Sequence, residues 1–200
     1  MINNHKIDFA KINDNSIIVD AGACMGEFIK FVRNKSNCRI IALEPDIEHR
    51  KKLISMNFHN VNIVGCALTG DGYPDYIKFY SYRGLPKWGN VYNRKVSHPK
   101  LQGIMSYFVP TLWINRIFSV FNIDYIDYLK LDIEEAEFDV FSTMTFQTAS
   151  KIKQFSAEIH PISSHTYKDV DNLVKKIISL GYRIEWTNKN IELWAIQNHI

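Results

Sequence analysis

Two stretches of the sequence place ionisable side chains where strands of a sheet would end. Lys130, Asp132 and Glu134 alternate along the first stretch, so a strand would bring them to one face. Glu158 and His160 alternate in the same way on what we expect to be the neighbouring strand. A histidine beside carboxylates can take a proton from a hydroxyl near neutral pH. We therefore predict acid–base chemistry, with His160 as the base, Asp132 or Glu134 as the group that orients the hydroxyl, and Glu158 as a further candidate. The alternative for His160 is a strand-end side chain that only bonds a neighbour.

The same side chains could bind a divalent cation. Carboxylates and an imidazole are suitable metal ligands. The cluster of Asp132, Glu134, Glu158 and His160 has no ligand spacing that requires a metal, so no metal site is predicted and a divalent ion stays an option. A lysine in a buried strand needs an acidic partner, and Asp132 or Glu158 could pair with Lys130. Glu137 lies one turn into a predicted helix, and we expect its carboxylate to be solvated or to interact favourably with the helix dipole.

A glycine turn follows the first predicted strand and reads Asp20-Ala21-Gly22-Ala23-Cys24-Met25-Gly26. Glycine lets the backbone approach a ligand closely, and the helix that follows offers free N–H donors. The Gly-x-x-x-Gly spacing differs from that of dinucleotide-binding turns, which disfavours a pyrophosphate ligand. Glu44 ends the second predicted strand about 20 residues further on, where an acid can accept both ribose hydroxyls. The alternatives are that Gly22 and Gly26 only form a packing turn and that Glu44 only caps a helix dipole. The order and spacing of these elements favour a nucleoside-bearing ligand instead.

Short β-branched runs alternate with longer amphipathic stretches and so define the elements that must position these residues. Strands are predicted over 16–20, 39–43, 61–64, 76–80, 125–133 and 152–159. Helices are predicted over 27–33, after the N-cap Asp46, over about 111–120 and over 167–180. Runs that are apolar throughout suit parallel strands that helices cover on both faces. We predict one doubly wound α/β domain over residues 1–200 that closes with an antiparallel hairpin over 182–196.

An irregular segment at about 81–110 interrupts this alternation. Residues 76–123 contain seven Lys and Arg and no Asp or Glu, which leaves a net charge of −4 for the rest of a chain whose total is +3. Interleaved aromatic side chains could stack on sugar rings, and the cations could hold phosphate or carboxylate groups. We expect a lid that binds the acceptor through Arg83, Trp88, Tyr92 and Arg94. Such a segment could also grip single-stranded nucleic acid or pack over a sheet edge, but the small total charge disfavours a nucleic-acid partner.

Composition excludes several classes of protein. The chain has 200 residues, of which 46% are hydrophobic and 22% charged, so wholesale disorder is excluded. Its three cysteines, Cys24, Cys38 and Cys66, are too few for a disulfide framework or a four-cysteine zinc site. No apolar run approaches the roughly 20 residues of a membrane helix, and no signal peptide is evident. We expect a cytoplasmic protein without membrane insertion, and the formation of a homo-oligomer remains possible on this sequence.

Three motifs stand in a fixed order along the chain. They are Ile18-Val19-Asp20-Ala21-Gly22-Ala23-Cys24-Met25-Gly26, then Ala42-Leu43-Glu44-Pro45, then Asp127-Tyr128-Leu129-Lys130-Leu131-Asp132-Ile133-Glu134-Glu135-Ala136-Glu137. Together with Val109-Pro110-Thr111-Leu112 and Glu158-Ile159-His160, they resemble the FkbM family of S-adenosylmethionine-dependent methyltransferases. The resemblance implies a Rossmann-like, mostly parallel seven-stranded sheet, S-adenosylmethionine as the methyl donor, and most often O-methylation of a hydroxyl on a sugar or natural product.

The resemblance also assigns cofactor residues by position. It implies that Gly22 and Gly26 line the methionine part of the cofactor, that Glu44 binds the ribose, and that the stretch from Cys66 to Leu68 lies at the adenine. The full candidate set is Asp20, Gly22, Ala23, Cys24, Gly26, Glu44, Pro45, Cys66, Ala67, Leu68 and Asp132.

Two positions depart from the family pattern. The family usually has Asn where Cys24 stands, and Gly where Glu135 stands. The Glu135 side chain could narrow the pocket, alter substrate preference or reduce activity. The leading hypothesis is therefore an O-methyltransferase that acts on a small-molecule or glycan hydroxyl, with an anionic acceptor favoured by the basic segment. The alternatives are an RNA methyltransferase and a catalytically inactive cofactor-binding scaffold.

Overall fold

The computed structural model describes residues 5–83, 89–91, 100, 102–159, 165–188 and 192–198. Its strands are β1 (Ile17–Ala21), β2 (Arg39–Leu43), β3 (Val61–Val64), β4 (Ala67–Thr69), β5 (Tyr76–Arg83), β6 (Gly89–Asn90), β7 (Gly103–Trp113), β8 (Tyr128–Leu131), β9 (Gln154–Glu158), β10 (Tyr182–Asn188) and β11 (Glu192–Gln197). Its α-helices are α1 (Glu27–Arg33), α2 (Ile47–Ser55), α3 (Ile117–Phe121), α4 (Ala136–Thr143), α5 (Phe146–Ala149) and α6 (Tyr167–Ser179). Within these residues, none of the helices is long and apolar enough to cross a membrane.

The larger sheet has seven strands in the order β10-β11-β9-β8-β1-β2-β3. Strands β3, β2, β1, β8 and β9 pair in parallel, and β11 pairs antiparallel with both β9 and β10. The prediction of a Rossmann-like, mostly parallel seven-stranded sheet with a C-terminal hairpin is therefore confirmed. The strand order reverses between β1 and β8, and this switch point is where open α/β sheets bind their ligands.

The central strands are covered on both faces, as their unbroken apolar runs predict. Alternate residues of a strand point to opposite faces, so Val19 and Ile18 belong to different core clusters. The cluster that contains Ile18 includes Phe28 of α1 and Leu53 of α2. The cluster that contains Val19 includes Phe141 of α4 and side chains of α6. Two helical layers thus fix the strands whose carboxyl ends form the site.

The middle of the chain is more regular than the sequence predicts. Strands β5 and β7 form an antiparallel ladder that pairs Tyr76 with Pro110 and Arg83 with Gly103, so residues 103–110 are strand and not irregular loop. The sequence does not reveal β7 clearly, because this strand lies in a separate four-stranded sheet, β4-β7-β5-β6, and is only partly buried. The rest of the predicted excursion, residues 84–88, 92–99 and 101, lies outside the described residues.

The predicted helix at 111–120 is wrong in its first half. Strand β7 continues to Trp113, a 3-10 turn spans Ile114–Arg116, and α3 begins only at Ile117. Leu112 pairs with Leu68 of β4, so strand pairing outweighs the helical spacing of the apolar side chains.

Candidate active site

The glycine turn between β1 and α1 packs against the end of β8. Gly22 has a φ of +78°, and a Cβ there would overlap the carbonyl oxygen of Asp132 and lie 2.9 Å from its carbonyl carbon. The N–H groups of Gly22 and Ala23 both donate to the Leu43 carbonyl. The N–H of Cys24 donates to Glu44. These three N–H groups hold the turn in place, before α1 begins at Glu27.

Glu44 ties this turn to the end of β2. Its side chain is nearly buried; Oε2 accepts the N–H of Cys24 at 2.7 Å, and Oε1 accepts the N–H of Asp46 at 2.7 Å. His49 places Nδ1 at 3.7 Å from Oε1. A carboxylate has about four acceptor positions, so these two N–H groups leave capacity for ligand hydroxyls.

Lys130 lies buried at the switch point between two acids. Its Nζ is 3.2 Å from Asp20 Oδ1 and 3.6 Å from Asp132 Oδ2, and it donates to the Gly22 carbonyl at 3.0 Å. Burial disfavours the ammonium form, but the carboxylates of Asp20 and Asp132 outweigh this effect and raise the pKa of Lys130. The expected pairing of Lys130 with Asp132 is confirmed, and Asp20 is a further partner.

Two cysteines lie against the site as protonated thiols. Burial, followed by the nearby Glu44 and Glu27 carboxylates, raises the pKa of Cys24 to about 12. Burial raises the pKa of Cys66 to about 12. Neither is a nucleophile at neutral pH, because that role requires the thiolate. Cys24 has a φ of 48°, a left-handed conformation in which Asn is more common than other non-glycine residues.

These elements line a partly open pocket at the carboxyl ends of β1, β2 and β8. Ten of its lining residues are ones that the sequence analysis selected for cofactor binding or catalysis: Gly22, Ala23, Cys24, Glu44, Pro45, Cys66, Ala67, Leu68, Asp132 and Glu134. Asp20 lies behind Lys130, and Gly26 packs against Leu53 of α2. The structure brings the two groups of candidates, glycine turn and strand-end acids, to one place.

The pocket also contains residues that pattern reasoning missed. His5, Glu27, Phe28, His49 and Phe79 all line it. His5 and Phe79 are distant in sequence from the motifs, and only the fold brings them there. Sequence offers a signal for Glu27, Phe28 and His49, because they lie in the first turns of the helices that follow the glycine turn and Asp46.

The acidic run after β8 adopts an unusual backbone. Glu134 and Glu135 have φ values of 59° and 82°, in the left-handed region that glycine adopts freely. Glu135 is fully buried, with Oε1 at 3.8 Å from His165 Nδ1. Glu137 is also fully buried, and its Oε1 accepts the N–H of Ile133 at 2.7 Å. The solvated alternative for Glu137 is therefore wrong, whereas its place in the first turn of α4 is the one that a favourable interaction with the helix dipole requires.

The structure describes the remaining predicted site residues only in part. Glu158 ends β9, the neighbour of β8. Arg83 ends β5, and its side chain is not among the described parts of the structure. The candidates His160, Trp88, Tyr92 and Arg94 lie outside the described residues.

Comparison with known proteins assigns the family. The model of the methyltransferase FkbM domain matches residues 20–184. The chain belongs to the FkbM methyltransferase family. This is a family of S-adenosylmethionine-dependent methyltransferases, and its match spans both the glycine turn and the strand-end acids. None of the curated proteins compared with the chain matches it.

Solved structures share the fold at low identity. The methyltransferase FkbM from Methylobacillus flagellatus is 18% identical with a TM-score of 0.56, over 92% of this FkbM-family chain and 44% of that one. The fibrillarin pre-rRNA processing protein of Methanococcus jannaschii is 10% identical with a TM-score of 0.54, over 96% and 70%. An rRNA methylase of Streptococcus thermophilus is 10% identical with a TM-score of 0.51, over 95% and 91%. This chain thus spans less than half of the first structure, and these likenesses show the fold alone.

Proposed function

We propose that this FkbM-family protein binds S-adenosylmethionine in the pocket and directs its methyl group to a hydroxyl oxygen of a sugar or glycan. The observation that carries the proposal is the meeting of Glu44, the Gly22 turn and the Lys130–Asp132 pair in one pocket at the strand switch point. Open α/β sheets bind nucleoside ligands at such a point.

The residues of the pocket suit this cofactor. Glu44 keeps acceptor capacity for the two ribose hydroxyls. The buried stretch from Cys66 to Leu68, with Phe79, offers apolar walls for an adenine ring. Asp132 and Lys130 offer opposite charges to the ammonium and carboxylate of the methionine part. When bound, S-adenosylmethionine supplies an electrophilic methyl group on a sulfonium.

The chain's own task is then to position an acceptor hydroxyl and receive its proton. Asp132 and Glu134 line the pocket, and Glu158 ends the adjacent strand. We assign these carboxylates to orienting the hydroxyl, and His160, two residues after Glu158, to accepting the proton. Phe28 and Phe79 line the same space, where apolar side chains exclude the water that would compete with the acceptor.

The acceptor class rests on the charge distribution of the sequence. Seven cations and no acids occupy residues 76–123, while the remainder carries −4. A cationic sulfonium suits the acidic body, and an anionic acceptor suits the basic segment. We therefore assign a phosphorylated or acidic glycan as the acceptor. The same basic segment favours RNA as the second candidate acceptor.

A methyl-transfer screen with labelled donor tests the proposal against pools of glycans, lipid-linked sugars and RNA. We expect label on a sugar oxygen, and we expect Asp132→Asn, which removes an orienting carboxylate, to slow transfer by about 10²-fold. Asp124→Asn, at an exposed position outside the pocket, is the matched control and should transfer at the wild-type rate. Label in the RNA pool alone would favour the second candidate. Cofactor binding without transfer to any pool would indicate the inactive scaffold.

A further inference from the structure

A second group of ionisable side chains lies beside the pocket, on strands that the cofactor candidates do not use. Glu158 ends β9 and Glu192 begins β11, and the two residues are direct cross-strand partners in the antiparallel ladder. One oxygen of each carboxylate and a ring nitrogen of His5 lie within 4.8 Å of one another. Three potential ligand atoms thus converge from three separate parts of the chain.

His5 is buried, with one ring nitrogen bonded and the other without a hydrogen bond in the described part of the chain. The side chain is 1% exposed, and its Nδ1 shares a hydrogen bond of 2.8 Å with Ser156 Oγ. Within the described residues, Nε2 has no hydrogen-bond partner, and Asp132 Oδ2 at 3.8 Å is beyond hydrogen-bond distance. A buried polar atom without a hydrogen bond is costly and points to a missing partner. Histidine ligands typically bond through one nitrogen to a neighbour and through the other to the metal.

The two carboxylates add an electrostatic reason for a cation. Like charges directly opposite each other on adjacent strands repel. Glu192 is 2% exposed, so water screens this repulsion poorly. A cation between the carboxylates turns the repulsion into attraction. A proton shared by the two carboxyl groups is another way to relieve it, and it predicts no metal affinity.

We propose that His5, Glu158 and Glu192 bind one divalent first-row transition metal ion. One nitrogen and two oxygen donors suit Mn²⁺, Fe²⁺ or Zn²⁺, whereas Mg²⁺ and Ca²⁺ prefer oxygen ligands throughout. This set shares only Glu158 with the cluster that the sequence suggested.

The proposed metal site adjoins the pocket that we assign to the cofactor. His5 lines the pocket, and its Nε2 is 3.8 Å from Asp132 Oδ2. If the proposed function holds, an ion here would lower the pKa of a hydroxyl that coordinates it. Metal binding itself does not depend on that function.

Titration with Mn²⁺, followed by electron paramagnetic resonance of the free ion, tests the site in the full chain after treatment with a chelator. We expect one Mn²⁺ per wild-type chain and an affinity at least about tenfold lower in Glu192→Gln and His5→Gln. Glu48→Gln, an exposed acid on α2, is the matched control and should bind as the wild type does. An excess of Mg²⁺ should not displace the ion.

Absence of Mn²⁺ binding by the wild type, or equal binding by the Glu192 and Glu48 variants, would overturn the proposal. The wild-type titration decides even if a variant fails to fold, and circular dichroism identifies such a variant. Calorimetry with S-adenosylhomocysteine separates the two proposals. Cofactor binding without Mn²⁺ binding rejects the metal site alone, and the reverse rejects only the proposed function.

Discussion

Replacing Gly22 with alanine tests how closely the glycine turn packs against Asp132, at the end of β8. Gly22 has a φ of +78°, and an added methyl group would overlap the main-chain carbonyl of Asp132. Gly72 provides a matched control, because its φ is +90° and a Cβ there would meet nothing within 4 Å. Both alanine variants place an L-residue in an unfavourable left-handed conformation, but only the methyl group at position 22 would overlap main-chain atoms of Asp132.

The expected magnitudes follow from these two contributions. A left-handed φ costs an L-residue about 1–2 kcal/mol, so Gly72→Ala should lower the free energy of unfolding by about that amount. Overlap with main-chain atoms forces a backbone shift that costs about 1–3 kcal/mol more. Gly22→Ala should therefore lose about 2–5 kcal/mol, which a domain of ordinary stability can survive.

Urea unfolding and calorimetric titration with S-adenosylhomocysteine measure the two consequences. We expect Gly22→Ala to unfold at a lower urea concentration than Gly72→Ala and to bind the ligand more weakly, because the displaced turn carries the N–H that positions Glu44. Gly72→Ala should bind as the wild type does. Equal loss of stability in the two variants, or unchanged binding in Gly22→Ala, would refute the close approach of turn and β8.

Three further substitutions test the supporting structure. Asp46 caps α2, and hydrogen bonds outweigh its burial to hold its pKa below the usual range. Asp46→Ala should cost about 1 kcal/mol at neutral pH, and urea unfolding should show the difference vanish as the pH falls through that lowered pKa, because the protonated cap no longer contributes. Glu135→Gly should unfold at a higher temperature than Glu135→Ala, since both remove the buried carboxylate and only glycine relieves a φ of 82° worth about 1 kcal/mol; an equal or lower temperature would contradict this. Lys130→Met leaves Asp20 and Asp132 without their shared cation, and urea unfolding should show a loss of about 3–5 kcal/mol.

The central sheet could be predicted because each of its strands has a recognisable pattern in its own sequence. Runs such as 39–43 and 128–131 are buried on both faces, so every position is apolar or paired and the pattern is unbroken. The glycine turn and Glu44 were equally visible, since each follows its strand directly. Strand β7 could not be recognised in this way, because it is only partly buried and because the apolar side chains at its end have helical spacing.

The remaining parts of the site depend on contacts between distant segments. His5 bonds Ser156 across 151 residues, and no local pattern records that contact. Glu192 faces Glu158 only through the register of β9 and β11. Glu137 looked like an exposed helical acid because its bond to the N–H of Ile133 depends on the left-handed turn between them.

Calorimetric titration of the wild type with S-adenosylhomocysteine, repeated for Glu44→Gln, tests most directly whether this pocket is the cofactor site. A hydrogen bond to a charged group is worth about 1.5–3 kcal/mol, so we predict one binding site per chain and an affinity about 10–100-fold lower in the Glu44 variant. Glu48→Gln, whose side chain is 72% exposed on α2, should match the wild type. No binding by the wild type, or equal binding by Glu44→Gln in a folded protein, would contradict the assignment.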